Sequence, residues 1–485
     1  MSKKATSNTK FTTQVKRILD KLYGRSVLKD SLVERASEFF AKQSFMQHKL
    51  DGLQESITEL KASEGDNGKS VKLVERKYRE LKQELRYESN ERYKYLYEIC
   101  HEILQLSEGL SFDETNRKSA QLLGTIQLIS PTEGNKVAEQ NERNKPLYKA
   151  ILSLRLFDQL LLDKSVILNH PYLNEHVSSI AIDNFKTLPS SDNNAYQEFI
   201  DKVKLPILIA AIIQDIGNYH PDAQQILKGD TGKLDLHRTL SIDDRKALLQ
   251  INYRETVKFM VDGLGSPIYV GNSKDDRDKF NILEHHKLVF MKQLLKASIA
   301  PRSGIGNILK VPQIYASIIL STKPSYNYKL LPKVYQALYQ NAEHGSCSKE
   351  AVDTLYRITG DYPQGYGVTY IPTDSEGGIS DRYEYAIVTQ LYPENGKNPI
   401  CRTATRYLTF ISYGQDVVID NKSNLYNVEV AQQFATISKE RLNEILELLA
   451  SNYSDRKNLD LLPRYWHAGD YFSVKDNQKL WNKSK

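Results

Sequence analysis

The apolar run Leu205–Ile213 ends in Gln214-Asp215-Ile216-Gly217-Asn218. Nine consecutive apolar residues form a buried helix rather than a membrane span, which needs about 20. A histidine–aspartate pair at the end of such a helix would set an imidazole and a carboxylate beside one metal-binding cavity. Here glutamine takes the first place of the pair. A neutral amide is a far poorer ligand for a transition metal than an imidazole, so that one position bears on whether the chain is an enzyme. Other sources of chemistry are weaker. Gly263-x-Gly265 and Gly304-x-Gly306 lack the preceding strand that a phosphate-cradling loop requires and read as turns. There is no G-x-S-x-G, no Walker-type lysine loop and no Cys–His nucleophile pair. Cys100, Cys347 and Cys401 lie far apart without CxxC spacing, which points to a reduced, cytoplasmic setting.

The elements that must position these residues are mostly helical. The chain has 485 residues, 40% hydrophobic and 26% charged, as in a globular protein of several domains. Residues 1–30 hold eight basic and two acidic side chains, a net of +6 that equals the whole-chain net. The basic character therefore belongs to the N-terminus, and no nucleic-acid-binding face is expected. Within it Val15, Ile18, Leu19 and Leu22 recur at helical spacing. Such a helix either packs into the body of the protein or lies on an acidic partner or a membrane surface through residues 12–29. Leu50, Leu53, Ile57 and Leu60, then Val74, Tyr78, Leu81 and Leu85, flank Glu64-Gly65-Asp66-Asn67-Gly68. That pattern predicts a helical hairpin with too few heptads for an independent coiled coil. A polar loop is expected around Ser130–Lys145, and a helix from Leu147 to Leu162.

After Asp361 the texture becomes β-branched and aromatic, in Gly367–Tyr370, Tyr383–Leu391, Ala404–Ser412 and Gln415–Ile419. The expected fold is mainly α. A small antiparallel β subdomain follows, then a helix over 439–450 and an aromatic tail at Tyr465-Trp466-His467. In linear terms the divisions fall at a basic segment 1–30, a helical region 31–162, a helical domain 163–365 and a β subdomain 366–485. The clustered tyrosines Tyr362, Tyr366, Tyr370, Tyr383 and Tyr385 read as packing residues of the sheet rather than as a base-stacking platform.

From about 170 to 425 the order of motifs resembles the HD-GYP family, bacterial phosphodiesterases of cyclic di-GMP. His176-Val177-Ser178-Ser179-Ile180-Ala181 is similar to the family's first ligand helix. Ile212–Asn218 stands where the family has His-Asp-Ile-Gly-Lys, and Leu248–Tyr253 where it has the helix of a Lys-His-Pro ligand. Glu284-His285-His286 resembles its histidine pair, and Tyr356–Gly365 its closing helix and turn. The resemblance implies metal ligands at His176, Asp215, His285 and His286. It also exposes losses: Tyr172 for a glutamate, Gln214 and Asn252 for histidines, Ile318 for the last aspartate, Asn218 for the phosphate-facing lysine, and no Gly-Tyr-Pro.

A dinuclear phosphodiesterase needs several anionic or imidazole ligands to offset the repulsion of two ions. The surviving set would hold one iron or manganese ion at most, and no cofactor is expected. The expectation is a non-catalytic bacterial signalling or scaffold protein, with a protein partner at the N-terminal helices and cyclic di-GMP as a candidate ligand. Two alternatives are a mononuclear phosphodiesterase built on the four survivors, and an adaptor acting through the basic N-terminal helix. Structural roles also exist for the survivors. His176 can be a half-buried helix histidine, Asp215 can cap the Ile216–Gly217 turn, and His285 and His286, about 100° apart on a helix, can be surface residues.

Overall fold

The computed structural model describes residues 7–24, 30–177, 185–373, 380–434, 437–449 and 462–482. The helices expected at Ser178–Ala181, and the end of the basic segment at Arg25 and Lys29, lie outside these. The architecture is mainly α with one small antiparallel sheet near the C-terminus. Among the described residues no helix is long and apolar enough to cross a membrane.

The chain forms two units, each assembled from separated segments. Unit 1 comprises residues 1–17, 104–198 and 298–485, and unit 2 comprises 18–103 and 199–297. None of the linear divisions at 30, 162 and 365 coincides with these boundaries. The packing partners of each segment lie far off in sequence. Helix α1 (Lys10–Leu22) buries Val15, Ile18, Leu19 and Leu22, so its apolar stripe is core.

Unit 1 is built around helix α5 (Val137–Leu162), against which α4 (Phe112–Ile129), α13 (Asn307–Ile319) and α15 (Lys349–Thr359) pack. Helix α5 begins ten residues earlier than its apolar run suggests and carries Pro146 inside it. Three polar residues that read as loop, Asn141, Arg143 and Asn144, are buried in its first turns. Asn141 donates to the Ser321 carbonyl at 2.8 Å and Asn144 to Ser130 Oγ at 2.8 Å. A fully buried ionic cluster fixes the other end of α5. Arg155, 0% exposed, pairs with Glu108 and, at 2.9 Å, with Asp158, while the Tyr196 hydroxyl donates to Glu108 at 2.7 Å. Burial alone would lower the Arg155 pKa, but the two carboxylates override it and hold the guanidinium above its ordinary range.

The sheet of unit 1 contains β1 (Gly367–Tyr370), β2 (Glu384–Val388), β3 (Ile400–Thr403) and β6 (Asp416–Val418), in that order and wholly antiparallel. Between β3 and β6, β4 (Thr405–Arg406) and β5 (Thr409–Phe410) make a separate two-stranded hairpin. Both β1 and β2 are buried along their whole length, so each face is covered. Helix α17 (Lys439–Leu449) and the tail cover the face that carries Tyr385 and Ile387. Trp466 stacks on Tyr385 with 4.7 Å between ring centroids and donates its indole N–H to the Ala386 carbonyl at 2.9 Å. Tyr362, Tyr366, Tyr370, Tyr383 and Tyr385 are all buried, as packing residues should be.

Unit 2 holds the hairpin of α2 (Leu32–Glu64) and α3 (Lys69–Ser107), whose last residues belong to unit 1. The break falls at the expected turn, where Gly65 takes φ +75°. Helix α9 (Leu205–Ile213) is buried at every position. It follows a π-helical turn over Ile200–Lys204, which relieves the clash and missing donor that Pro206 would otherwise bring to a continuous helix. Helix α11 (Ile242–Lys258) and α12 (Lys274–Ala297) complete the unit, and α12 packs on α9.

Candidate functional site

The residues singled out by the resemblance are divided between the two units. Tyr172, His176 and Ile318 belong to unit 1, and Gln214, Asp215, Asn218, Asn252, His285 and His286 to unit 2. In helix α6 (Pro171–Val177) His176 is half-buried and meets the edge of the buried Tyr172 ring, 4.4 Å between centroids. An aromatic ring therefore occupies the place that the resemblance gives to a carboxylate. Ile318 is a partly buried residue of α13.

In unit 2 the end of α9 is taken up by α11. The Gln214 carbonyl faces Asn252 Nδ2 at 3.4 Å and Thr256 Oγ1 at 3.5 Å, and that hydroxyl accepts the Gly217 N–H at 3.0 Å. The approach is close because residue 217 has no side chain. A Cβ there would lie 2.2 Å from the Asn252 carbonyl oxygen. Asp215 does not cap the following turn with its carboxylate; its backbone carbonyl accepts the Asn218 N–H at 3.2 Å. The Asn218 carbonyl in turn accepts from Gln224 at 2.8 Å. His285 and His286 are exposed, with rings 6.4 Å apart, while their neighbours Glu284 and Lys287 are buried and paired at 2.7 Å. Among the described residues no group of three or more His, Cys, Asp or Glu stands together as a metal cage. The donor set does not fit a dinuclear centre: amides and an aromatic ring stand at ligand positions, and the two adjacent histidines face solvent.

One carboxyl group near these motifs has a perturbed proton affinity. Asp361 follows Gly360, at φ +66°, where α15 ends, and its N–H donates to the Gly396 carbonyl at 2.9 Å. Burial pushes its pKa up to about 6, against the opposing pull of Lys397 and a hydrogen bond from Tyr356. A carboxyl whose folded-state pKa exceeds its unfolded value destabilises the fold once ionised. That contribution is absent below the unfolded value, grows as pH rises and is complete above about 6. Asp361→Asn should therefore raise the unfolding free energy at pH 8 by about 1–2 kcal/mol, allowing for solvent screening, and leave it unchanged at pH 3.5. Denaturant melts at the two pH values check this.

A wide cleft lies within unit 2, lined by both arms of the hairpin. The cleft has a volume of about 990 Å³, and its walls include Phe39, Met46 and Leu50 of α2 and Leu85 and Arg92 of α3. Lys258, Asp262, Gly265 and Ser266 close its base. Arg92 is held in place by donating to the Gly263 carbonyl at 2.7 Å and by lying 5.3 Å from the Phe39 ring centroid. Burial lowers its pKa, against the pull of Glu88. Leu50, Leu53 and Leu60 are only partly covered, and Phe45, Leu73 and Tyr87 are 69%, 55% and 63% exposed. The heptad stripe located this hairpin in the sequence, but the cleft and the exposed aromatics left no periodic signal. No family model, no curated protein and no solved structure matches the chain.

Proposed function

We propose that the protein is a non-catalytic scaffold that works by holding another protein on the α2–α3 hairpin of unit 2. The open cleft between the arms supports this reading. It is large, sets Phe39, Met46, Leu50, Leu85 and Tyr87 among charged and polar side chains, and lies beside the exposed Phe45, a surface suited to an amphipathic helix. The packing of Asn252, Thr256 and Gly217 around the end of α9 supports the non-catalytic part, because the polar groups there satisfy one another. On this reading the likeness to HD-GYP phosphodiesterases extends to the order of helices and not to their chemistry, and the setting is bacterial signalling.

Protein purified without chelator should carry neither iron nor manganese near stoichiometry and should leave cyclic di-GMP intact. Near-stoichiometric metal together with hydrolysis of cyclic di-GMP overturns the reading. Calorimetric titration with cyclic di-GMP then reports whether the nucleotide is bound without turnover.

A further inference from the structure

The two arms of the hairpin carry opposite charge. Residues 44–66, the outer part of α2 and the turn, hold Lys49 and Lys61 against Asp51, Glu55, Glu59, Glu64 and Asp66, a net of −3. Residues 69–86 of α3 hold seven basic side chains against three acidic, a net of +4. These charges are not used up within the hairpin. The pair across the turn, Lys61–Glu75 at 2.9 Å, joins the minority charge of each arm, and Arg76–Glu80 lies within α3. Glu55 and Glu59 on one arm, and Lys69, Lys72 and Lys77 on the other, are exposed and make no ion pair among the described residues. Phe45, Leu73 and Tyr87 are exposed along the same two helices.

Resting on the scaffold reading, we infer that the protein held on the hairpin is a second copy of this chain, the two hairpins pairing as a four-helix bundle about a two-fold axis. A two-fold contact uses the same surface on both copies, so that surface must be self-complementary. An acidic arm beside a basic arm meets that condition, since α2 of each copy then lies on α3 of the other. Pairing α2 with α2 would place like charges together and is disfavoured. The charge pattern thus selects the partner, and the exposed Phe45, Leu73 and Tyr87 supply apolar surface for association to bury. About 30 Å of each arm takes part, at 1.5 Å per residue.

Sedimentation and light scattering of the full chain should show a dimer that weakens as salt rises. Asp51→Lys, Glu55→Lys and Glu59→Lys together make both arms basic. Lys69→Glu, Lys72→Glu and Lys77→Glu together make both acidic. Each set alone should weaken self-association by about a hundredfold, and mixing the two sets should restore a dimer containing one chain of each. Circular dichroism of each set checks that the helices persist. Phe45→Asp with Tyr87→Asp, at exposed positions that no monomer core needs, should also yield monomer. A monomeric wild-type chain, dimers that ignore both charge sets, or sets that fail to pair on mixing would each overturn the inference. Metal loading or turnover would instead overturn the scaffold reading and leave this result standing.

Discussion

Replacing Arg155 by methionine should lower the unfolding free energy by about 3–5 kcal/mol, measured by urea or thermal denaturation. Arg155 is fully buried and is the cation between Glu108 and Asp158, both also buried. Removing it leaves two carboxylates in a low-dielectric interior with no opposing charge. The network also joins Glu108, which precedes α4, and Tyr196 to the side of α5. Its loss therefore loosens three segments together. The penalty should shrink at low pH, where the orphaned carboxylates protonate. It should shrink again in Arg155→Met/Glu108→Gln/Asp158→Asn, because the main cost of a broken buried pair is the uncompensated charge and not the lost attraction. A methionine variant as stable as wild type at pH 7 would show that water reaches the cluster.

Gly217→Ala should lower stability by about 2–3 kcal/mol. The added methyl would sit 2.2 Å from the Asn252 carbonyl oxygen and 2.9 Å from that residue's Cα and carbonyl carbon. All three are backbone atoms of a helix and cannot rotate away. Relief therefore requires α11 to shift from the end of α9, which also strains the hydrogen bond from the Gly217 N–H to Thr256. Asn252→Ala removes two long side-chain hydrogen bonds, to the Gln214 carbonyl and from the Thr256 hydroxyl, and should lower stability by about 0.5–1 kcal/mol. Comparing the two melts separates close packing from polar contact as the reason these helices meet.

Much of the local structure was legible in residue types. Nine apolar residues marked α9, the Gly65–Gly68 break marked the hairpin turn, and β-branched aromatic runs marked the strands. Legibility stopped where long-range partners decide. Asn141 and Asn144 read as loop because their acceptors, the Ser321 carbonyl and Ser130, lie outside the local window. Arg155 and Asp158, three residues apart on a leucine-rich helix, announce a buried pair, but nothing local names Glu108 as its third member. The candidate ligands were legible only through the order of a known motif series. The charge division between the hairpin arms was present in the composition throughout, hidden in a whole-chain net that cancels it.

The interleaving of the two units governs how the protein can be made. Unit 2 lacks its second half until residue 297 has been synthesised, and unit 1 lacks its last segment until the strands near the C-terminus appear. During synthesis α2 must wait for Ile216–Tyr219, Pro221–Lys228 and Phe259–Leu264, all well over 100 residues downstream, before the face that packs on them is covered. Pairing segments so far apart closes long loops and slows folding. Stopping the chain at any single point leaves at least one unit unfinished, so a stable fragment would have to be spliced from separate stretches rather than cut.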